Sequence, residues 1–198
     1  VGVKEMEKQG HFPSYIYRGY KTDIYEGGHR IPLIVSWKGK FSNETNNSLV
    51  SLTDFYATFA QMVNHKLKDE EAVDSYSIWP ILSKQGASNR KDLVYESGKG
   101  YLSLRTPQLK LVFNGGSGGW GYPNKPADLA QLPPMQLFNL KEDPSEKENI
   151  IHDKCYEQEV KEMTQLIRKY VKEGRSTPGA EVANDTENDW KQVNIFMQ

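Results

Sequence analysis

The sequence is poor in the features that would place it quickly. It has one cysteine, Cys155, in 198 residues. A lone cysteine excludes an internal disulfide framework and any metal site built from several cysteines. Cys155 lies in a strongly charged helical pattern beside Lys154 and Glu157, with no histidine or asparagine partner suggested, and reads as an ordinary helix residue. Charge of one sign is also missing: 25 Lys and Arg against 26 Asp and Glu leave a net charge of −1. That removes any global reason to bind nucleic acid or an anionic membrane. No apolar run approaches the ~20 residues that a membrane helix needs. The chain opens Val-Gly-Val, with neither an initiating Met nor a signal sequence, so the expectation is a piece of a longer protein.

What is present suffices for a core. Hydrophobic residues are 37% of the chain, and 11 Tyr, 7 Phe and 4 Trp make much of that core aromatic. Ile31 to Trp37 is a continuous apolar run and reads as a strand buried on both faces. Ser51 opens a helix, with Asp54 three residues on as a capping-box variant. Leu52, Phe55, Phe59, Met62 and Val63 follow at helical spacing as its apolar face. From Asp92 the pattern changes. Residues 92–97, 101–105, 109–113 and 135–140 are short strand-like runs separated by turns, which favours an antiparallel meander. A glycine- and proline-rich loop, 115–134, interrupts them and carries Trp120 and Tyr122. A helix over 153–173 follows, with Gly174 as its stop. Residues 1–90 therefore read as the end of an α/β domain, 91–175 as a small α+β subdomain with a four-stranded antiparallel sheet and one long helix, and 176–198 as a polar tail held by Trp190 and Phe196.

The densest polar stretch is Tyr17 to Pro32. A sulfate or phosphate ester needs cations on its non-bridging oxygens and a proton donor near the leaving oxygen. Lys21 supplies a compact cation. His29 and His11 are the side chains near it that titrate around neutral pH. Glu26 and Arg30, four apart, can brace the loop as an ion pair. The bland alternative is a solvated, charged turn before a strand, with His29 bonded to backbone.

The segment Arg18-Gly19-x-Lys21-x-x-x-Tyr25-Glu26-Gly27-Gly28-His29-Arg30-Ile31-Pro32 resembles one found in the sulfatase family, the formylglycine-dependent and arylsulfatase-like hydrolases. So do, in order, Leu49 to Phe59, Asp74 to Leu82, Leu104 to Leu111, Leu137 to Glu146 and Gly174 to Gly179. The ordered set implies the C-terminal part of an alkaline-phosphatase-like sulfatase fold. By position, Lys21 corresponds to the family lysine that contacts the sulfate group, while His29 and His11 sit where members place substrate-facing residues. Trp120 and Tyr122 could line a sugar or aryl subsite by stacking.

The departures matter as much. The family's Cys/Ser-x-Pro-x-Arg nucleophile motif and its calcium-binding Asp pairs have no counterpart here, and no metal ligand is assigned. The resemblance implies calcium and formylglycine in the full-length protein, a sulfated small molecule or carbohydrate as substrate, and an exported location. The chain alone is expected to be inactive, with an apolar face on residues 31–63 that seeks the N-terminal part of the same protein or self-associates. The alternatives are a phosphatase or phosphonate hydrolase of the same fold and a non-catalytic binding or assembly module.

Overall fold

The computed structural model describes residues 2–183 and 190–197. In chain order the elements are helices α1 (Val3–Lys8), α2 (Glu26–His29), α3 (Asp54–Met62) and α4 (Trp79–Leu82), strands β1 (Leu93–Glu96), β2 (Leu102–Arg105) and β3 (Leu109–Val112), helix α5 (Pro126–Leu129), strand β4 (Gln136–Asn139), and helices α6 (Glu157–Glu173) and α7 (Asn194–Met197). Two compact units divide the chain: Val1–Ile31, Val94–Met163 and Trp190–Gln198 form one, Pro32–Leu93 and Thr164–Asp189 the other. Residues 2–31 thus go with the sheet, not with the segment that follows them. Among the described residues no helix is long and apolar enough to cross a membrane.

In the first unit the sheet runs β1-β2-β3-β4. Strands β2/β3 and β3/β4 pair antiparallel, with Leu104 opposite Leu111 and Leu111 opposite Leu137. The four expected runs each seat one strand. Every residue of β3 and β4 is buried, the polar Lys110, Gln136 and Asn139 included. The chain just after Lys21 supplies part of the cover: Ile24 and Tyr25, both fully buried, form one cluster with Val112, Phe138 and Leu140, and Tyr95 packs against it. Burying two such side chains contributes roughly 1.5–3 kcal/mol each. Tyr25 is fixed further by its hydroxyl, 3.0 Å from Gln136 Oε1, and by the Arg18 guanidinium 3.9 Å above its ring. Phe196 of α7 is buried with its ring 4.6 Å from that of Phe113. The rest of the expected tail divides: residues 184–189 and 198 lie outside the described residues, whereas Arg175 gathers the turn after α6 by donating to the carbonyls of Thr177 and Ala180 at 2.9 and 2.8 Å.

The second unit corrects two expectations. Residues Ile31–Trp37 form no strand, and Ile34 is 89% exposed, with Leu33, Val35 and Trp37 also exposed. A strand needs a neighbour for its backbone groups, and the described residues of this unit offer none. Trp37 instead meets Phe41 and Trp79, with ring centroids at 5.8 and 6.2 Å. Helix α3 is also turned the other way. Its buried residues are Asp54, Ala57, Thr58 and Ala60, while Leu52 beside it, Phe59 within it and Val63 at its end are exposed. The seat is polar. The Asp54 carboxylate takes both Nε and Nη2 of buried Arg90, at 2.9 and 2.5 Å, and the amide N–H groups of Ser51 and Tyr76 at 2.8 and 2.9 Å. Thus Asp54 does reach back to Ser51, as a capping box requires, and it also anchors the helix.

Candidate functional site

Lys21 is carried by the turn Tyr20–Asp23. The Asp23 N–H donates to the Tyr20 carbonyl at 2.9 Å, and the Tyr20 N–H donates to Asp23 Oδ2 at 2.9 Å. Thr22 has φ +81, a region that β-branched residues rarely enter. Such a conformation costs about 1–3 kcal/mol and persists only when the surroundings hold it. Here they do. The Thr22 carbonyl accepts from Gly98 N–H at 2.8 Å, its Oγ1 from Trp120 N–H at 3.2 Å, and Asp23 Oδ1 from Gly121 N–H at 2.7 Å. The glycine-rich loop is therefore a clamp on the lysine turn. A Cβ on Gly119 or Gly121 would come within 2.5 or 2.2 Å of an Asp23 carboxylate oxygen, so only glycine allows so close an approach. Asp23 is fully buried. Lys21 is exposed, and its side chain makes no hydrogen bond or ion pair among the described residues.

A charged layer beneath fixes the segment that follows. Arg105 and Lys110 face each other across β2 and β3. Like charges directly opposite repel, and Glu26 neutralises them, with Oε1 3.3 Å from Arg105 Nε and 3.2 Å from Lys110 Nζ. Lys110, fully buried, also pairs with Glu146 Oε1 at 2.9 Å, and Glu146 Oε2 accepts the Glu26 N–H at 2.6 Å. Burial opposes charge on Glu26, yet Lys110 and Arg105 outweigh it and hold that carboxyl below its usual range. Burial wins at Glu146, whose pKa is raised despite Lys110. Arg30, expected to brace Glu26, stands 3.9 Å away and half exposed, the weakest of the three cations around that carboxylate.

The two histidines lie apart in environment. His29 stacks on Tyr95 at 4.5 Å, is bonded to the Asp23 backbone, and has a buried Nε2 without a partner. Burial and then Lys110 lower its pKa to about 4, so at neutral pH it is an uncharged ring. His11 is exposed, and no hydrogen bond or ion pair joins it to Lys21 or His29 among the described residues. Trp120 and Tyr122 stand on the clamp, 73% and 75% exposed.

The Sulfatase family model matches residues 8–65, which include the lysine turn and α2. An N-acetylgalactosamine-6-O-sulfatase of Bacteroides thetaiotaomicron is 31% identical over 158 residues, 80% of this chain and 30% of that protein. Human arylsulfatase A is 28% identical over 149 residues, 70% of this chain and 29% of that protein. The chain belongs to the sulfatase family. It spans under a third of the length of these two sulfatases. A solved structure described under metabolism of multiple glycosaminoglycans by the same Bacteroides superposes with a TM-score of 0.69 at 28% identity, over 83% of this chain and 34% of that one. The structure of Ps i-CgsB, at 22% identity and a TM-score of 0.57, covers 86% of this chain and 34% of its own, and shares the fold.

The cofactors implied by sulfatase membership do not fit the residues present. Among the described residues no group of three or more His, Cys, Asp or Glu side chains could hold a metal ion. Cys155 is exposed in a short 3-10 helix just before α6; its N–H donates to Asp153 Oδ1 at 2.9 Å, and that carboxylate raises its thiol pKa. The reading of the sequence missed Asp23, Lys110 and Glu146. One signal was available: a lysine inside the apolar run Leu109-Lys110-Leu111-Val112 must find a carboxylate if the strand is buried.

Proposed function

We propose that this chain is the C-terminal portion of a sulfatase that hydrolyses sulfate monoesters, and that Lys21 forms one wall of its sulfate pocket. The carrying observation is an exposed ammonium, without a partner among the described residues, on a strained turn that two other segments hold in place. An ammonium so placed neutralises a non-bridging oxygen and stabilises the charge that builds on the leaving oxygen. Nucleophile and calcium ligands come from outside residues 1–198. Neutral His29 supports α2 from within, where it can orient the loop under the substrate, and His11 contacts substrate from the surface. The relative acting on N-acetylgalactosamine 6-O-sulfate supports a sulfated carbohydrate as substrate.

The exposed apolar residues of the second unit support the same reading. Ile34, Leu33, Phe59 and Val63 are each exposed, and on this reading the remaining two thirds of a sulfatase chain covers them. The test is a kinetic comparison of full-length wild type and Lys21→Ala on a panel of sulfate esters. We expect kcat/KM to fall at least about a hundredfold, the scale for loss of one charge-stabilising group. Unchanged turnover by the variant would remove Lys21 from the pocket.

A further inference from the structure

A second exposed lysine shares the platform of the first. Lys99 lies in the turn between β1 and β2, and its Nζ donates to the Asn124 carbonyl at 3.3 Å while its N–H donates to the Gly118 carbonyl at 3.0 Å. Asn124 in turn donates from Nδ2 to the Trp120 carbonyl at 2.7 Å. The 2.8 Å bond from Gly98 N–H to the Thr22 carbonyl ties this turn to the lysine turn. Lys21 and Lys99 are thus each one residue removed from a shared hydrogen bond, and Trp120 is bonded to Thr22 directly and to Lys99 through Asn124. We infer that Lys21, Trp120 and Lys99 form one recognition surface for an acidic sulfated saccharide: Lys21 takes the sulfate, Trp120 stacks on a sugar ring, and Lys99 takes an anionic group on the neighbouring residue. This rests on the function proposed above and adds the chemistry of the flanking sugar.

The chemistry follows from the parts. A sugar ring presents an apolar C–H face that an exposed indole covers at little entropic cost. A neighbouring carboxylate or second sulfate needs a cation at a fixed offset, and Lys99 is held at its root by backbone bonds while two of its three ammonium protons remain available. Such a pair of exposed cations discriminates by charge.

The experiment uses the full-length protein and calorimetry with three probes: inorganic sulfate, a disaccharide carrying a non-hydrolysable sulfonate beside a uronate carboxylate, and the same disaccharide with that carboxylate as a neutral amide. Wild type should prefer the acidic disaccharide over the neutral one. Lys99→Ala should shrink that preference about three- to fivefold, the range of an exposed charge pair, and salt should erase it. Trp120→Ala should weaken both disaccharides about tenfold relative to inorganic sulfate, and Trp120→Phe should restore most of that loss. A wild type indifferent to the carboxylate, or variants that shift all three probes equally, would overturn the inference. Turnover of sulfate esters by the same preparation tests the proposed function separately, so either can fail alone.

Discussion

The Asp23 carboxylate accepts the Gly121 N–H at 2.7 Å across 98 positions of sequence, from a site with no solvent exposure. Its other oxygen closes the lysine turn on Tyr20. One buried side chain therefore both shapes the turn and locks it to the loop.

Asp23→Ala should cost about 3 kcal/mol in urea-induced unfolding, since it strands two N–H donors. It should also lower full-length sulfatase turnover while Lys21 is intact, because the turn would relax from its Thr22 conformation. A variant with wild-type stability would show that the carboxylate is dispensable.

Lys110→Met should destabilise by about 3–5 kcal/mol, because it leaves Glu26 and Glu146 buried without their shared cation. By contrast Lys21→Ala should alter unfolding free energy by less than about 0.5 kcal/mol, as expected at an exposed position with no partner among the described residues. Equal costs at the two lysines would contradict the burial of Lys110 and the exposure of Lys21.

Acid should weaken the fold through His29. Unfolded, the ring takes a proton near its ordinary 6.5; folded, only near 4. Between these values the unfolded state binds more protons, so stability falls as pH drops from 6.5 toward 4 and is fully present above 6.5. The loss is of the order of 2 kcal/mol after allowance for partial exposure. His29→Phe keeps the stack on Tyr95 and should flatten this slope in chemical denaturation run at several pH values.

The apolar surface gives opposite expectations in two settings. In residues 1–198 alone, Ile34→Asp and Phe59→Asp should reduce dye binding and light scattering with little effect on unfolding. In the full-length protein the same changes should destabilise by about 2–4 kcal/mol, as for a charge placed in a packed core. A neutral outcome in the full-length protein would leave that surface without its proposed neighbour.

Much of this was legible in the sequence, and the misses share a cause. The meander was readable because β1 to β4 are short runs with turn residues between them, a local signal. Lys21 was singled out by its polar surroundings and its family segment, and its role is the proposal that the kinetic comparison tests. Asp23, Gly121 and Thr22 were not, because their contacts join residues about a hundred positions apart. The apolar spacing of Ile31–Trp37 and α3 was read as burial, and the structure leaves most of those side chains exposed; periodicity states what a face requires and not what covers it. Asp54 settled the orientation of α3 by pairing with Arg90, a residue whose role nothing local announces.

The interlock of Gly119 and Gly121 with Asp23 leaves Trp120 and Tyr122 as outward-facing positions on a loop whose backbone is already committed. Side chains at 120 and 122 can therefore be exchanged without disturbing the turn that bears Lys21. That separates a fixed framework from a variable tip. It makes this loop a handle for retargeting: a library confined to those two positions would sample new ligands on an unchanged scaffold.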